Sequence, residues 1–344
     1  MENQFRGTEA ILDQNLEYRL MLFEMKEGRG PILMDTVTAL AELGKTMDKK
    51  ELKHLESEAW EDFLDMTCGQ ANLWCATNTE PEKKNSEVMP TEPYLLGSHS
   101  GCCGLWTSGP DLDWVPDSYK IKADNGKVYN RMTTVNGLFT AGDGVGCSGH
   151  KFSSGSHAEG RIAVKQMVRY AKDHADYSPA IAQSTAELVD LVYKPVRTYL
   201  DHAAYTTADD VNPNYIKPNG MMYRMMKATH EYGAGTATFY QTTSKNLEIV
   251  MEMLETMRED NEKLAAGDLH ELMRAWEIQH RIWTVESHLR HIQFRKETRY
   301  PGFYYQSDYP GQDDENWFCF VNSKYDAKEQ KWDVFKKDYV KIFK

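Results

Sequence analysis

The chain has 344 residues, 41% hydrophobic and 27% charged, with 40 Lys+Arg against 52 Asp+Glu for a net charge of −12. That acidic balance excludes a general nucleic-acid binder, which needs basic surface to replace the counterions along phosphates. No window approaches the run of about eighteen apolar residues that a membrane span needs, and Met1–Glu9 lacks the basic and apolar regions of a secretion signal, so a cytoplasmic location is expected.

Three regions of different texture are expected as domains: 1–92, 93–187 and 188–344. In the first, Leu40, Leu43 and Met47, then Leu52, Leu55, Trp60 and Leu64, recur at helical spacing. A polar link from Thr77 to Asn85 follows and reads as a solvated loop. The second region is rich in glycine and short strand-like runs, among them Val135–Ala141, and closes with one helix. The third is mostly helical. Leu247, Val250, Met251, Leu254 and Met257 share a face, and after a break at Ala266-Gly267-Asp268 the residues Leu269, Leu272, Met273, Trp276 and Trp283 continue the theme as core packing. Beyond Arg299 the chain turns aromatic and irregular, and it ends in a Lys-rich segment from Trp332 to Lys344. The six cysteines, Cys68, Cys75, Cys102, Cys103, Cys147 and Cys319, contain no C-x-x-C pair, so no metal or iron–sulfur site is expected in this chain. Free thiols are the expectation.

The stretch 135–161 holds seven glycines. Within it, Gly144-Val145-Gly146-Cys147-Ser148-Gly149 fits the G-x-G-x-x-G phosphate fingerprint, but the context does not. A phosphate loop needs its third glycine inside the first helical turn and an acid about 20 residues further on. Here Ser156-His157-Ala158-Glu159 reads as a capping box that starts the helix later, and Met167–Tyr170 offers no acid. What remains is a strand, an Ala-Gly-Asp turn, a glycine loop and a serine-capped helix start. Such a start carries unpaired N–H groups and partial positive charge, suited to the negative charge that develops at N1 and O2 of a reduced flavin. Asp143 is placed to accept hydrogen bonds from ribityl or ribose hydroxyls. A plain glycine-rich surface turn capped by an acid is the other reading of these residues.

"NGLFTAGDGVGCSGHKFSSGS" (136–156) resembles the flavin-contacting segment of the fumarate reductase/succinate dehydrogenase flavoprotein family. "GSHSGCCG" (97–104) resembles that family's H-Y-T-M-G-G and puts His99 at its active-site histidine. "FRKETRYPGFYYQSDYPGQDDENW" (294–317) resembles its R-x-E-S-R-G…R-x-D-Y-P…D-x-x-N-W. Where the family has a catalytic arginine this chain has Lys151, after His150, and an arginine's bidentate fork is lost. That departure, together with "GSHSGCCGLWTSGPDLDWVP" and the terminal "DVFKKDYVKIFK", is similar to the α subunits of dissimilatory adenylylsulfate reductases. The resemblance implies an α+β fold: an α/β FAD-binding portion without its N-terminal βαβ unit, part of a capping domain, and a mainly helical C-terminal domain. The expectation is therefore the C-terminal portion of a longer subunit.

The resemblance further implies interconversion of adenosine 5′-phosphosulfate with AMP and sulfite, by two electrons, through a flavin N5–sulfite adduct. It implies FAD in the intact subunit and an iron–sulfur β subunit that carries [4Fe–4S] clusters. His99 is the implied catalytic and substrate-binding residue, and Lys151 a further substrate contact. Gly142, Asp143, His150, Ser154, Gly155 and Ser156 are the implied FAD contacts. Arg295, Glu297 and Arg299 are expected to form an internal ion-pair network, and Asp308-Tyr309-Pro310 a structural turn. Two alternatives stay open: another fumarate reductase- or aspartate-oxidase-like flavoenzyme, separated by Lys151, and a non-catalytic partner-binding fragment, separated by flavin absorbance.

Overall fold

The computed structural model describes residues 20–21, 23–66, 74–88, 104–146, 153–299 and 304–338. The chain divides into two compact units, one within residues 12–92 and the other containing residues 93–344.

In the unit within 12–92, β1 (Leu33–Met34) pairs antiparallel with β2 (Ser86–Glu87), and α1 (Thr36–Leu43) and α2 (Lys49–Met66) run between them. Asp35 opens α1 by accepting from the Thr38 amide at 3.1 Å, which satisfies one of the donors a helix start leaves over. Asn85, at the end of the polar link, donates to Asp35 at 2.8 Å and accepts from the Val37 amide at 3.1 Å. The link thus braces the helix start. Leu52, Leu55 and Trp60 are half-buried along α2, and Trp60 meets Trp74 edge-on at 5.3 Å between ring centroids.

In the larger unit, segment 104–146 lies against α3 (Ser153–Asp173) around a small core of Ala123, Tyr129 and Met132, flanked by Ile121, Phe139 and Tyr170. The Tyr129 hydroxyl donates to Asp173 at 2.7 Å and accepts from Asn125 at 2.7 Å, so this buried phenol is satisfied at both ends. Val135–Ala141 is not the strand its composition suggests. Asn136-Gly137 makes a tight turn, closed by the Leu138 amide on the Val135 carbonyl at 3.1 Å, and only Phe139 pairs, in a single antiparallel bridge with Met132. An Asn-Gly pair between apolar residues favours that hairpin turn over extended backbone.

The helical part begins with α4 (Thr185–Val192), opened by a Ser184–Glu187 capping box, and α5 (Lys194–His202). It continues through α6 (Pro218–Tyr232), β3 (Gln241–Thr242), α7 (Ser244–Asp260) and α8 (Leu269–Phe294). Its core joins Met221, Met225 and Ala228 of α6 to Leu247, Val250, Leu254 and Met257 of α7 and to Ala275, Ile278, Ile282, Leu289 and Ile292 of α8. The shared face of α7 is the expected one. That of α8 is not, because Leu269 and Met273 are 70% and 48% exposed. The buried face of α8 runs through Leu272, Ala275, Ile278, Ile282, Glu286, Leu289 and Ile292. Glu286 holds its place there because Arg258 and Arg290 both pair with its carboxylate, which compensates a charge that burial alone would forbid.

The sequence after Arg299 is more regular than its aromatic texture implies. β4 (Tyr305–Gln306) pairs parallel with β3, α9 (Asp314–Trp317) follows, and β5 (Cys319–Asp326) and β6 (Lys331–Asp338) form an antiparallel hairpin eight residues long on each side. Among the described residues no helix is long and apolar enough to cross a membrane.

Candidate functional site

The site is assembled from three short segments. Residues 142–144 form a single 3-10 turn, and Gly142 takes φ +62°, a left-handed conformation that costs glycine little. A Cβ built on Gly142 would stand 3.1 Å from the Ser156 hydroxyl oxygen, so the turn seats directly on the first turn of α3. The second contact is between backbones. The Leu105 amide donates to the Gly144 carbonyl at 2.8 Å, and the Gly146 amide to the Leu105 carbonyl at 3.1 Å, a parallel bridge flanking the turn. Gly104 closes the approach: at φ +143° its Cβ would lie 2.8 Å from the Gly146 nitrogen, so no larger residue fits.

The α3 start differs from the expected one. The helix begins at Ser153, so Ser156 lies within the first turns and is not the cap. Its supposed capping partner, Glu159, is engaged elsewhere. Its carboxylate takes both the Nε and Nη2 of Arg131, the latter at 3.0 Å, with the two side chains only 10% and 15% exposed. Arg131 itself sits at φ +71°, and its amide and carbonyl bond Ser108 and Thr140 on either side. A non-glycine residue in that region is costly and persists only when its surroundings hold it; here a buried ion pair and two backbone bonds do so. Nothing in the local sequence signals this pair, which joins residues 28 apart.

Along α3 an open groove of about 680 Å³ is lined by Ser156, His157, Gly160, Arg161, Val164 and Lys165. His157, Arg161 and Lys165 recur every four residues and so share one face. Together with the partial positive charge of a helix start, Arg161 and Lys165 set local electropositive potential against the acidic balance of the whole chain.

Of the expected site residues, the structure brings together Gly142 and Ser156, with Ser154 and Gly155 in the same helical turn as Ser156 and the Asp143 backbone in the glycine turn. His99, His150 and Lys151 lie outside the described residues, as do Cys102, Cys103 and Cys147. Among the described residues, no three His, Cys, Asp or Glu side chains gather as a metal site. The Arg295–Glu297–Arg299 network is present, away from the glycine turn in sequence and built into the helical part. Glu297, fully buried, accepts from both arginines and from the Asp313 amide at 2.9 Å, and Arg295 also donates to the Trp317 and Cys319 carbonyls at 2.8 and 2.7 Å. Asp308 is a structural turn residue that holds the Ser244 amide at 2.6 Å.

The fold is that of the fumarate reductase-like flavoprotein class. No protein-family model matches the sequence. The chain is 58% identical over 332 residues to the adenylylsulfate reductase subunit alpha of Megalodesulfovibrio gigas, covering 96% of this chain and 50% of that protein. A structure of adenylylsulfate reductase from the hyperthermophilic Archaeoglobus fulgidus matches with a TM-score of 0.81 at 49% identity, over 96% of this chain and 51% of that one. An adenosine-5-phosphosulfate reductase in complex with sulfite, as a covalent adduct, matches with a TM-score of 0.80 at 48% identity, over 96% and 51% of the two chains. In sequence and fold the chain is similar to adenylylsulfate reductase α subunits, and it spans about half the length of the curated relative it matches.

Proposed function

We propose that the chain contributes the flavin-facing portion of the α subunit of a cytoplasmic, dissimilatory adenylylsulfate reductase. The enzyme would interconvert adenosine 5′-phosphosulfate with AMP and sulfite, with FAD supplying or accepting the two electrons. The observation that carries this reading is the 58% identity to such a subunit across nearly the whole chain. The glycine turn packed on the start of α3 is its local support.

The residues fit the group. A left-handed Gly142 without a Cβ brings the backbone of 142–144 onto Ser156, and a helix start offers amides and positive potential to the electron-rich edge of an isoalloxazine ring. In this reading Gly142, Ser154, Gly155 and Ser156 hold the ring through backbone N–H groups, Asp143 accepts from ribityl hydroxyls, and His150 adds a polar contact. His99 donates to the phosphate that leaves as AMP, where charge grows during sulfur transfer and a preplaced donor is worth most. An imidazole is the side chain best suited to act as donor or proton source near neutral pH. Lys151 steers the anionic substrate. Electrons reach the site from an iron–sulfur β subunit with [4Fe–4S] clusters.

The test has two stages. Flavin absorbance of the purified 344-residue chain separates a flavin-holding enzyme portion from a non-catalytic module, a reading the half-length coverage keeps relevant. In the full-length subunit with its partner, His99→Ala is expected to lose about 10²-fold or more in adenosine phosphosulfate turnover with a viologen donor while flavin content stays near that of the parent. Unchanged turnover removes His99 from the chemistry, and turnover of fumarate instead of adenosine phosphosulfate overturns the substrate assignment.

A further inference from the structure

The C-terminal hairpin ties the helical part to the candidate site. At its turn end, Tyr325 and Trp332 pair across the strands and pack on Trp283 of α8, with ring centroids 4.7 and 6.3 Å away. Arg290 of α8 stands over Trp332 at 5.9 Å, and Lys336 stands over Trp317 at 3.6 Å while donating to the Asn316 carbonyl at 2.8 Å. The opposite end reaches residues more than 200 positions earlier. The Lys337 ammonium donates to the Ser118 carbonyl and lies 4.4 Å from the Trp106 ring and 4.5 Å from the Tyr119 ring. Beside it, the Tyr119 hydroxyl donates to the Asp338 carbonyl. Strands of eight residues extend about 23 Å end to end, long enough to bridge the two anchor points.

Trp106 follows Leu105, the residue that brackets Gly144 and Gly146. Two residues further, fully buried Ser108 donates its amide to the Met132 carbonyl at 2.7 Å and accepts from the Arg131 amide at 2.9 Å, and the Gly109 amide reaches the Tyr119 carbonyl at 2.8 Å. Segment 104–109 is therefore a spine with the glycine turn on one end and the Lys337 clamp beside it. A cation held between two rings and a carbonyl is directional; Lys337 is half-buried, and that partial burial lowers its ammonium from its ordinary pKa.

We propose that the hairpin is a strap and Lys337 a positioning residue: it fixes segment 104–109 against the glycine turn and so sets the geometry of the flavin end of the site. The assignment of a flavin there rests on the function proposed above; the clamp itself does not.

Two measurements keep the two claims apart. In hydrogen–deuterium exchange on the full 344-residue chain, Lys337→Ala is expected to speed exchange of the Leu105 and Gly146 amides by about tenfold or more, with the α8 amides of Leu272–Leu289 unchanged. Lys337→Arg, which keeps the cation over the rings, is expected to restore protection, and Tyr119→Phe to give a smaller change of the same sign. Parent-like protection in Lys337→Ala overturns the strap, and so does equal loss throughout α8, which would signal general destabilisation. In the full-length flavin-loaded subunit, sulfite bleaching of flavin absorbance is expected to need about tenfold more sulfite in Lys337→Ala at equal flavin content. A parent subunit that holds no flavin overturns the proposed function and leaves the exchange result to decide the strap.

Discussion

At the scale of single residues, the site depends on what glycine alone permits. Gly142 combines a left-handed backbone with a neighbour 3.1 Å from the position a Cβ would take. Alanine there costs about 1–2 kcal/mol for the conformation, and the contact adds to it unless Ser156 moves. Gly142→Ala is therefore expected to destabilise the chain by about 2 kcal/mol in urea unfolding and, in the full-length subunit, to lower flavin content. That pattern is the reverse of the one expected for His99→Ala, which leaves content near the parent level. A Gly142→Ala subunit with parent stability and full flavin would show that the turn does not need its present geometry. The Arg131–Glu159 pair acts on the same helix. It ties the strained Arg131 backbone to α3 three residues beyond Ser156, so glycine and charged pair together hold the helix start in register.

At the scale of elements, the start of α7 shows how one adjacent and one distant side chain serve one helix. Thr243 accepts from the Asn246 amide at 3.1 Å, and Asp308, 64 residues away from Ser244, accepts from the Ser244 amide at 2.6 Å. Thr243→Ala is expected to cost about 1 kcal/mol in thermal or urea unfolding, with Thr243→Ser recovering most of it; no loss would mean that Asp308 alone satisfies the helix start. The same elements show what could be read in advance. Leu247, Val250, Leu254 and Met257 announce their buried face because every residue on it is apolar. On α8 the apolar letters Leu269 and Met273 point outward, while a carboxylate, Glu286, occupies a core position. No periodicity of hydropathy can find a buried Glu, since its place is secured by Arg258 on another helix. The hairpin is hidden for a related reason: a Lys-rich segment gives no sign that the ammonium groups of Lys336 and Lys337 stand over aromatic rings supplied from elsewhere. At the site, the glycines, the Ala-Gly-Asp turn and the helix after them were legible. The helix start was misjudged because Ser156 and Glu159 fit a capping box in sequence, and only the fold shows that Arg131 claims the Glu.

At the scale of the whole molecule, the net charge of −12 leaves the carboxylates' partners to decide how stability varies with pH. The Lys217 ammonium holds Asp209 below the usual carboxylate range, Lys263 and then Arg224 do the same for Asp260, and the Lys127 ammonium and the Tyr129 hydroxyl do so for Asp173. Each depressed group contributes stability that is present above the unfolded value near 4 and is lost as pH falls through its folded value. His174 works in the opposite sense. Its Nδ1 faces the Tyr170 carbonyl at 2.8 Å and its Nε2 faces Asp124 at 3.0 Å, two acceptors that both favour the doubly protonated ring, so its pKa is raised. Its contribution is complete below the unfolded value near 6.5 and is lost as pH rises through the raised one. The melting temperature is therefore expected to peak between about pH 4 and about pH 6.5, to fall steeply on the acid side, and to decline more gently above neutrality. In His174→Gln the alkaline decline is expected to vanish while the acid limb stays, because glutamine keeps a donor for Asp124 but does not titrate. Should the alkaline limb persist in that variant, the link between α3 and the Asp124 turn is not carried by an imidazolium, and the stacking of His174 on Tyr170 at 3.9 Å would have to account for the contact alone.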